Sequence, residues 1–188
     1  KKKKKKDTAK TKGGARKERN KEIRKRKKKG RSKMAARGGG GNVVIPRNFK
    51  LLQELEDGEK GKALQGSPHS HFISFGIENP SNPDIFLHNW HATIIGPQNT
   101  PLGERIYSLK IYCSDNYPSE PPSIKFQSAI NMPCVNQSNG VVDPRKVPQM
   151  SQRQWNRNSS IAECLVSIRE QMTAAARLQQ PPDGQQFP

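Results

Sequence analysis

Four short stretches between residues 71 and 127 alternate apolar and polar side chains with a period of two. This period is that of a β-strand with one buried face and one exposed face. The predicted strands cover residues 71–77, 86–95, 105–113 and 123–127. Short connections rich in Gly, Pro and Asn separate them, so we predict an antiparallel meander whose apolar face is covered by helices.

The parity of each predicted strand assigns its side chains to one of the two faces of the sheet. Ser74 and Thr93 fall on the outer face by alternation alone. That face is predicted to be polar, with Ile106 as an isolated aliphatic residue near its edge. Solvent-facing strand residues of this kind are common and need no functional explanation.

The predicted first helix follows Pro46, a residue that suits a first helical turn, and Gly58 is predicted to end it. Phe49 lies at the helix entrance, on a different arc from the leucines that follow. It is either a residue of the core or an exposed anchor for a partner protein. Three residues recur at helical spacing and are predicted to be buried: Leu51, Leu52 and Leu55.

A second helix is predicted to begin at Ser160, which forms a capping-box pair with Glu163. Cys164 is predicted to be a small buried hydrophobic residue of this helix. The apolar stripe of the helix consists of Ile161, Leu165, Ile168 and Met172. A helix, four strands, a long irregular stretch and a helix together predict a two-layer α+β domain over residues 43–188.

Residues 1–37 carry 21 Lys and Arg against three acidic residues, whereas the rest of the chain is balanced. Too few apolar residues are present in 1–42 to form a core, so this tail is predicted to be disordered. The RKRKKK run at 24–29 is either a nuclear-import patch or a non-specific nucleic-acid binder. Met34 leaves open that residues 1–33 precede the start of the natural protein.

No apolar run approaches the ~20 residues of a membrane span. We expect a soluble protein of the cytoplasm and nucleus without a membrane partner.

The three cysteines, Cys113, Cys134 and Cys164, are widely spaced, with no CxxC pair and no His at ligand spacing. Neither a disulfide framework nor a zinc site is predicted. The sequence calls for no metal and no cofactor.

Residues 131–155 lie between the last strand and the second helix and are predicted to form a flap. Asn139-Gly140 favours a tight turn, since Gly adopts positive φ at little cost. The segment that follows, Val141-Val142-Asp143-Pro144, offers no thiol, no hydroxyl and no His. A flap without a nucleophile is therefore predicted.

The motif Tyr117-Pro-Ser-Glu-Pro-Pro122, followed by Ile124 and Phe126, resembles the signature of ubiquitin-conjugating enzymes. Gly140 and Trp155 match their active-site flap. Residues 44–52, 94–97, 105–109 and 180–184 resemble more narrowly the ubiquitin-conjugating enzyme variants (UEVs), the inactive relatives that pair with an active conjugating enzyme. The resemblance covers residues 43–188 and implies the ubiquitin-conjugating-enzyme-like (UBC) fold.

The resemblance implies that the catalytic residues are missing. The His-Pro-Asn motif of the enzymes is replaced by Pro133-Cys134-Val135, and Asp143 stands at the position of the nucleophilic Cys. Thioester chemistry needs a thiolate and a donor for the oxyanion, and neither is present there. The alternative is an active conjugating enzyme that uses Cys134, nine residues before Asp143 and in another part of the flap.

By the same resemblance, the chain pairs with an active conjugating enzyme and holds acceptor ubiquitin without a covalent bond. The product implied is the 63-linked polyubiquitin chain used in DNA-damage tolerance, DNA repair and signalling. The heterodimer contact is expected at Phe49, with Pro46, Arg47 and Asn48 setting its approach angle. The acceptor contact is expected at Ser74, Thr93 and Ile106.

Three stretches depart from the pattern of the family. Residues 60–70 form a longer loop with His69 near its end, residues 144–154 are also extended, and the basic tail has no counterpart. We expect these departures to affect the fit of partners more than the fold.

Overall fold

The computed structural model describes residues 46–81 and 85–188. Their sheet has four antiparallel strands in the order β1-β2-β3-β4, which confirms the predicted meander. The strands are β1 (Ile73–Ile77), β2 (Asn89–Ile95), β3 (Ile106–Tyr112) and β4 (Ser123–Phe126). Each is shorter than predicted, since residues 70–72 form a 3-10 turn and 86–88 precede β2. The predicted disordered tail and the domain boundary at residue 43 lie outside the described residues.

Helices α1 (Arg47–Glu59) and α2 (Ile161–Ala174) both contact β1. The core between the helices and the sheet contains Trp90, Leu109, Phe126 and Ile168, each fully buried. The predicted two-layer α+β architecture is confirmed. No helix of the described ranges is long and apolar enough to cross a membrane.

Two predictions about α1 are wrong. Leu51 is fully buried, but Leu52 is 51% exposed, because neighbouring residues of a helix point about 100° apart and only one of them faces the sheet. Gly58 does not end the helix, which continues to Glu59. Gly58 instead allows close packing, since a Cβ there would lie 3.2 Å from the Phe75 ring.

The predicted capping box of α2 is confirmed. The Ser160 hydroxyl accepts a hydrogen bond from the Glu163 amide, and the Glu163 carboxylate accepts one from the Ser160 amide, both at 3.3 Å. Cys164 is fully buried, as predicted. The pattern did not single out Arg169, which is only 6% exposed.

A buried carboxylate connects α1 to α2 and to the loop before β4. Glu54 is 6% exposed and accepts hydrogen bonds from the Tyr117 hydroxyl (2.5 Å) and from the Ile161 amide (2.8 Å). Lys50 Nζ lies 3.5 Å away on the same helix. Burial raises the pKa of Glu54, and the hydrogen bonds and Lys50 oppose that shift. Glu54 thereby satisfies a donor at the beginning of α2, where helices leave amides unpaired.

Candidate functional site: a closed flap and two exposed surfaces

The flap folds back on itself behind the turn at Asn139-Gly140. The Gly140 amide donates to the Asn136 carbonyl at 2.8 Å, and Gly140 has φ of +76°, as the turn requires. Val135 and Val142 form an antiparallel bridge. The Asp143 amide donates to the Cys134 carbonyl at 2.8 Å. The prediction that Cys134 belongs to another part of the flap is therefore wrong, because the bridge places it beside Asp143.

The thiol of Cys134 is nevertheless poorly suited to catalysis. The residue is 2% exposed, and burial raises the pKa of its thiol. Lys146 opposes this shift but its ammonium donates to the Pro133 carbonyl (2.9 Å), while Asp143 adds to the shift. Reactive cysteines are accessible thiolates with lowered pKa, and Cys134 has neither property.

Asp143 has a structural role in the turn Pro144–Lys146. Its carboxylate accepts hydrogen bonds from the Arg145 amide (3.0 Å) and from Nε of the Arg145 side chain (3.1 Å). The Arg145 side chain, and then its amide, lower the pKa of Asp143. The side chain is 27% exposed, so it lies at the surface, where Arg145 holds it. An ionised carboxylate that caps a turn offers no thiolate for thioester formation.

The first surface is the N-terminal turn of α1. Phe49 is 67% exposed, which excludes the interpretation as a core residue. Leu52, one turn further along the same side, is also exposed. Arg47 fixes this turn, because its guanidinium donates to the carbonyls of Cys113 (2.7 Å), Ser114 (2.8 Å) and Phe86. Pro46 and Asn48 are exposed beside Phe49.

Two further apolar residues near this surface were not predicted. Ile85 is 84% exposed and Phe86 is 58% exposed, and the Phe86 carbonyl accepts from Arg47. Both precede β2, which begins at Asn89, and of the two only Phe86 falls within the predicted strand 86–95. Strand parity therefore carried no information about them.

The second surface is the outer face of the sheet. Ser74 is opposite Thr93, and Thr93 is opposite Ser108, so the three hydroxyl side chains form one row across β1, β2 and β3. Ile106 begins β3 and is 64% exposed. The predicted outward placement of Ser74, Thr93 and Ile106 is confirmed. Ile106 is not isolated, however, because Ile95 lies directly opposite and is 36% exposed.

The two surfaces lie at opposite ends of β3. Ile106 is its first residue, and the carbonyls held by Arg47 follow its last residue, Tyr112. A strand of this length spans about 20 Å. The two surfaces are therefore well separated along the strand. Within the described ranges, no three His, Cys, Asp or Glu side chains are grouped to hold a metal ion.

Comparison with known proteins decides the family. The sequence model of the family described as ubiquitin-conjugating enzyme matches residues 61–186. Ubiquitin-conjugating enzyme E2 variant 1D of Arabidopsis thaliana is 42% identical over 148 residues, which are 78% of this chain and 94% of the relative. The chain belongs to the family of ubiquitin-conjugating enzyme variants. The variant is also 40% identical over 145 residues to ubiquitin-conjugating enzyme variant MMS2 of Saccharomyces cerevisiae, covering 76% of the chain and 98% of the relative.

Solved structures of conjugating enzymes share the fold of the variant. A putative ubiquitin conjugating enzyme from Plasmodium yoelii matches with a TM-score of 0.54 and 25% identity, over 69% of this chain and 74% of that chain. Human ubiquitin-conjugating enzyme E2 G1 matches with a TM-score of 0.54 and 22% identity, over 69% and 98%, and shows the fold alone. The predicted UBC fold is confirmed.

Proposed function

We propose that this variant is a catalytically inactive subunit that pairs with an active ubiquitin-conjugating enzyme and positions acceptor ubiquitin for synthesis of 63-linked chains. The observation that carries the proposal is the pair of exposed surfaces at the two ends of β3. Phe49 is the anchor for the partner enzyme, and the row of Ser74 and Thr93 with Ile106 is the contact for acceptor ubiquitin.

Two features of the flap support inactivity. The carboxylate of Asp143 caps the turn Pro144–Lys146, and the neighbouring thiol of Cys134 is buried, which raises its pKa. The alternative of an active enzyme that uses Cys134 is disfavoured by both properties. The missing thioester is supplied by the partner.

The contribution of the variant is geometric. Phe49 projects from a turn that Arg47 fixes, so little conformational freedom is lost when its ring enters a pocket. Small hydroxyl side chains on the sheet let another protein approach closely, and Ile106 offers an apolar contact. Holding a lysine of the acceptor beside the partner's thioester converts an encounter into a nearly unimolecular step, an effect that supplies several kcal/mol. The choice of linkage follows from that orientation.

The proposed setting is DNA-damage tolerance, DNA repair and signalling in the cytoplasm and nucleus. This setting comes from the family resemblance and from the basic run at 24–29. Non-specific nucleic-acid binding by the tail remains a separate proposal, tested by its loss in high salt and on deletion of residues 1–33.

The deciding experiment is chain synthesis with and without an active partner. The variant is mixed with activating enzyme, ATP and ubiquitin, first alone and then with a conjugating enzyme of the kind that makes 63-linked chains. We expect free 63-linked chains only in the second mixture. A reductant-sensitive ubiquitin adduct on the variant alone, lost in Cys134→Ser, would overturn the proposal, as would chains of unchanged yield when the variant is left out.

A further inference from the structure

The aliphatic part of the outer face is a pair of residues in two adjacent strands. Ile95 ends β2 and lies directly opposite Ile106, the first residue of β3. Side chains that face each other across two strands have Cβ atoms about 5 Å apart and contact one another. Beside this pair runs the flat row of Ser74, Thr93 and Ser108. The pair therefore forms a single apolar patch at one end of the face.

The backbone at Ile95 is held from outside the sheet. Strand β1 begins at Ile73, which is opposite Ile94, so no residue of β1 pairs with Ile95. Nε of Arg169 donates to the Ile95 carbonyl at 3.2 Å instead. Arg169 belongs to α2 and is 6% exposed, so a buried side chain of the helix holds the end of β2 in place.

Arg169 is itself held by His69, near the end of the loop at 60–70, and by Phe72, which follows that loop. Its NH1 group donates to Nδ1 of His69 at 2.7 Å, and its guanidinium carbon lies 4.2 Å from the centre of the Phe72 ring. Stacking on an aromatic ring and a hydrogen bond to a ring nitrogen restrict the guanidinium to one orientation. Nε2 of His69 lies 3.9 Å from the Glu170 carboxylate. A continuous set of contacts thus leads from the loop to the outer face.

We infer that Ile95 is a second apolar contact for acceptor ubiquitin, and that Arg169 and His69 are positioning residues that hold it. This inference rests on the proposed function. The matching surface of ubiquitin is an apolar patch large enough to cover both isoleucines. Around that patch, ubiquitin lies close to the row of hydroxyl side chains on the sheet. The loop at 60–70 then acts on acceptor binding although no residue of the loop belongs to the acceptor surface.

The test is chain synthesis by the heterodimer at increasing concentrations of an acceptor ubiquitin with a blocked C-terminus. We expect Ile95→Ala to raise the acceptor KM about fivefold at unchanged kcat, the factor for losing roughly one or two buried methylene groups. Leu178→Ala is the matched control, because Leu178 is 37% exposed and Ile95 is 36% exposed. The control should leave both constants unchanged.

The positioning residues are tested through the loop, where folding is less at risk. His69→Ala should raise the acceptor KM, and His69→Asn should restore it, because the Asn side-chain oxygen can accept from Arg169 as Nδ1 does. A purely structural role would lower thermal stability and leave the KM unchanged. If the wild-type heterodimer makes no chains, the proposed function fails. If it makes them and the KM of Ile95→Ala equals that of the wild type, the proposed function stands and this inference is overturned.

Discussion

On the inner face of α1, Glu54 is 6% exposed and joined to Tyr117 and Ile161, whereas on its outer face Phe49 is 67% exposed. An amphipathic helix usually buries its apolar side chains and exposes its charged ones. Both exceptions have a physical reason. The carboxylate satisfies two donors at a junction of three segments, and the ring is held outward on a turn fixed by Arg47. A buried, hydrogen-bonded carboxylate therefore indicates a structural junction, and an exposed aromatic ring on a fixed turn indicates a binding surface.

Removing the buried carboxylate of Glu54 should have the largest effect. Glu54→Ala leaves the Ile161 amide and the Tyr117 hydroxyl without their acceptor, and each unsatisfied buried donor costs about 1–3 kcal/mol. We expect the free energy of unfolding in urea to fall by about 3 kcal/mol. Glu56→Ala is the control, since Glu56 is exposed and its ion pair with Lys60 lies on the surface. Equal losses in the two variants would contradict the structural assignment of Glu54.

Removing the outer member should affect association and leave folding intact. We expect Phe49→Ala to weaken binding to the partner enzyme by about 2 kcal/mol or more, roughly a 30-fold loss, because buried aromatic anchors dominate interfaces. Titration calorimetry measures the binding, and thermal unfolding serves as the control. A large drop in the unfolding temperature would instead identify Phe49 as a residue of the core.

The second surface sharpens the comparison by separating two binding steps. Ile106→Ala should slow chain synthesis through weaker acceptor binding, by about 1 kcal/mol for a partly exposed aliphatic residue. Binding to the partner enzyme should stay at the wild-type value, the reverse of the result for Phe49→Ala. The prediction is wrong if Ile106→Ala weakens binding to the partner enzyme as much as it weakens binding to acceptor ubiquitin.

The smallest expected effect is the pH dependence of stability at Glu54. Its pKa is raised above the ordinary 4.5 by burial, so the folded state holds the proton more tightly than the unfolded state. The stabilisation is complete below the ordinary pKa and is lost as the pH rises through the raised value. Unfolding between pH 4 and pH 8 should show this decline in the wild type, and Glu54→Gln should lack it. An identical slope in both proteins would assign the decline to other groups.

Local patterns were sufficient for much of the fold. The alternation in four stretches predicted the strands and the outward placement of Ser74, Thr93 and Ile106, because a strand has only two faces, and the short connections predicted the antiparallel order. The capping pair Ser160 and Glu163 located the beginning of α2, because its hydrogen bonds are made within four residues. Each of these features depends on neighbours in the chain.

Other features depend on contacts between distant segments. Helical spacing groups Leu51 with Leu52 but does not tell which of them meets the sheet, and the packing chose Leu51. The bridge between Val135 and Val142 brought Cys134 beside Asp143, and burial of the thiol then raised its pKa.

The sequence by itself determined the family and the strand faces, because these follow from residue type and local period. Only the tertiary structure decided which apolar residues stay exposed and which polar ones are enclosed. Glu54 bonds with residues 63 and 107 positions away, and Arg169 reaches a carbonyl 74 positions away. Hydrogen bonds over such separations exist only once the chain has packed, so no local pattern contains them.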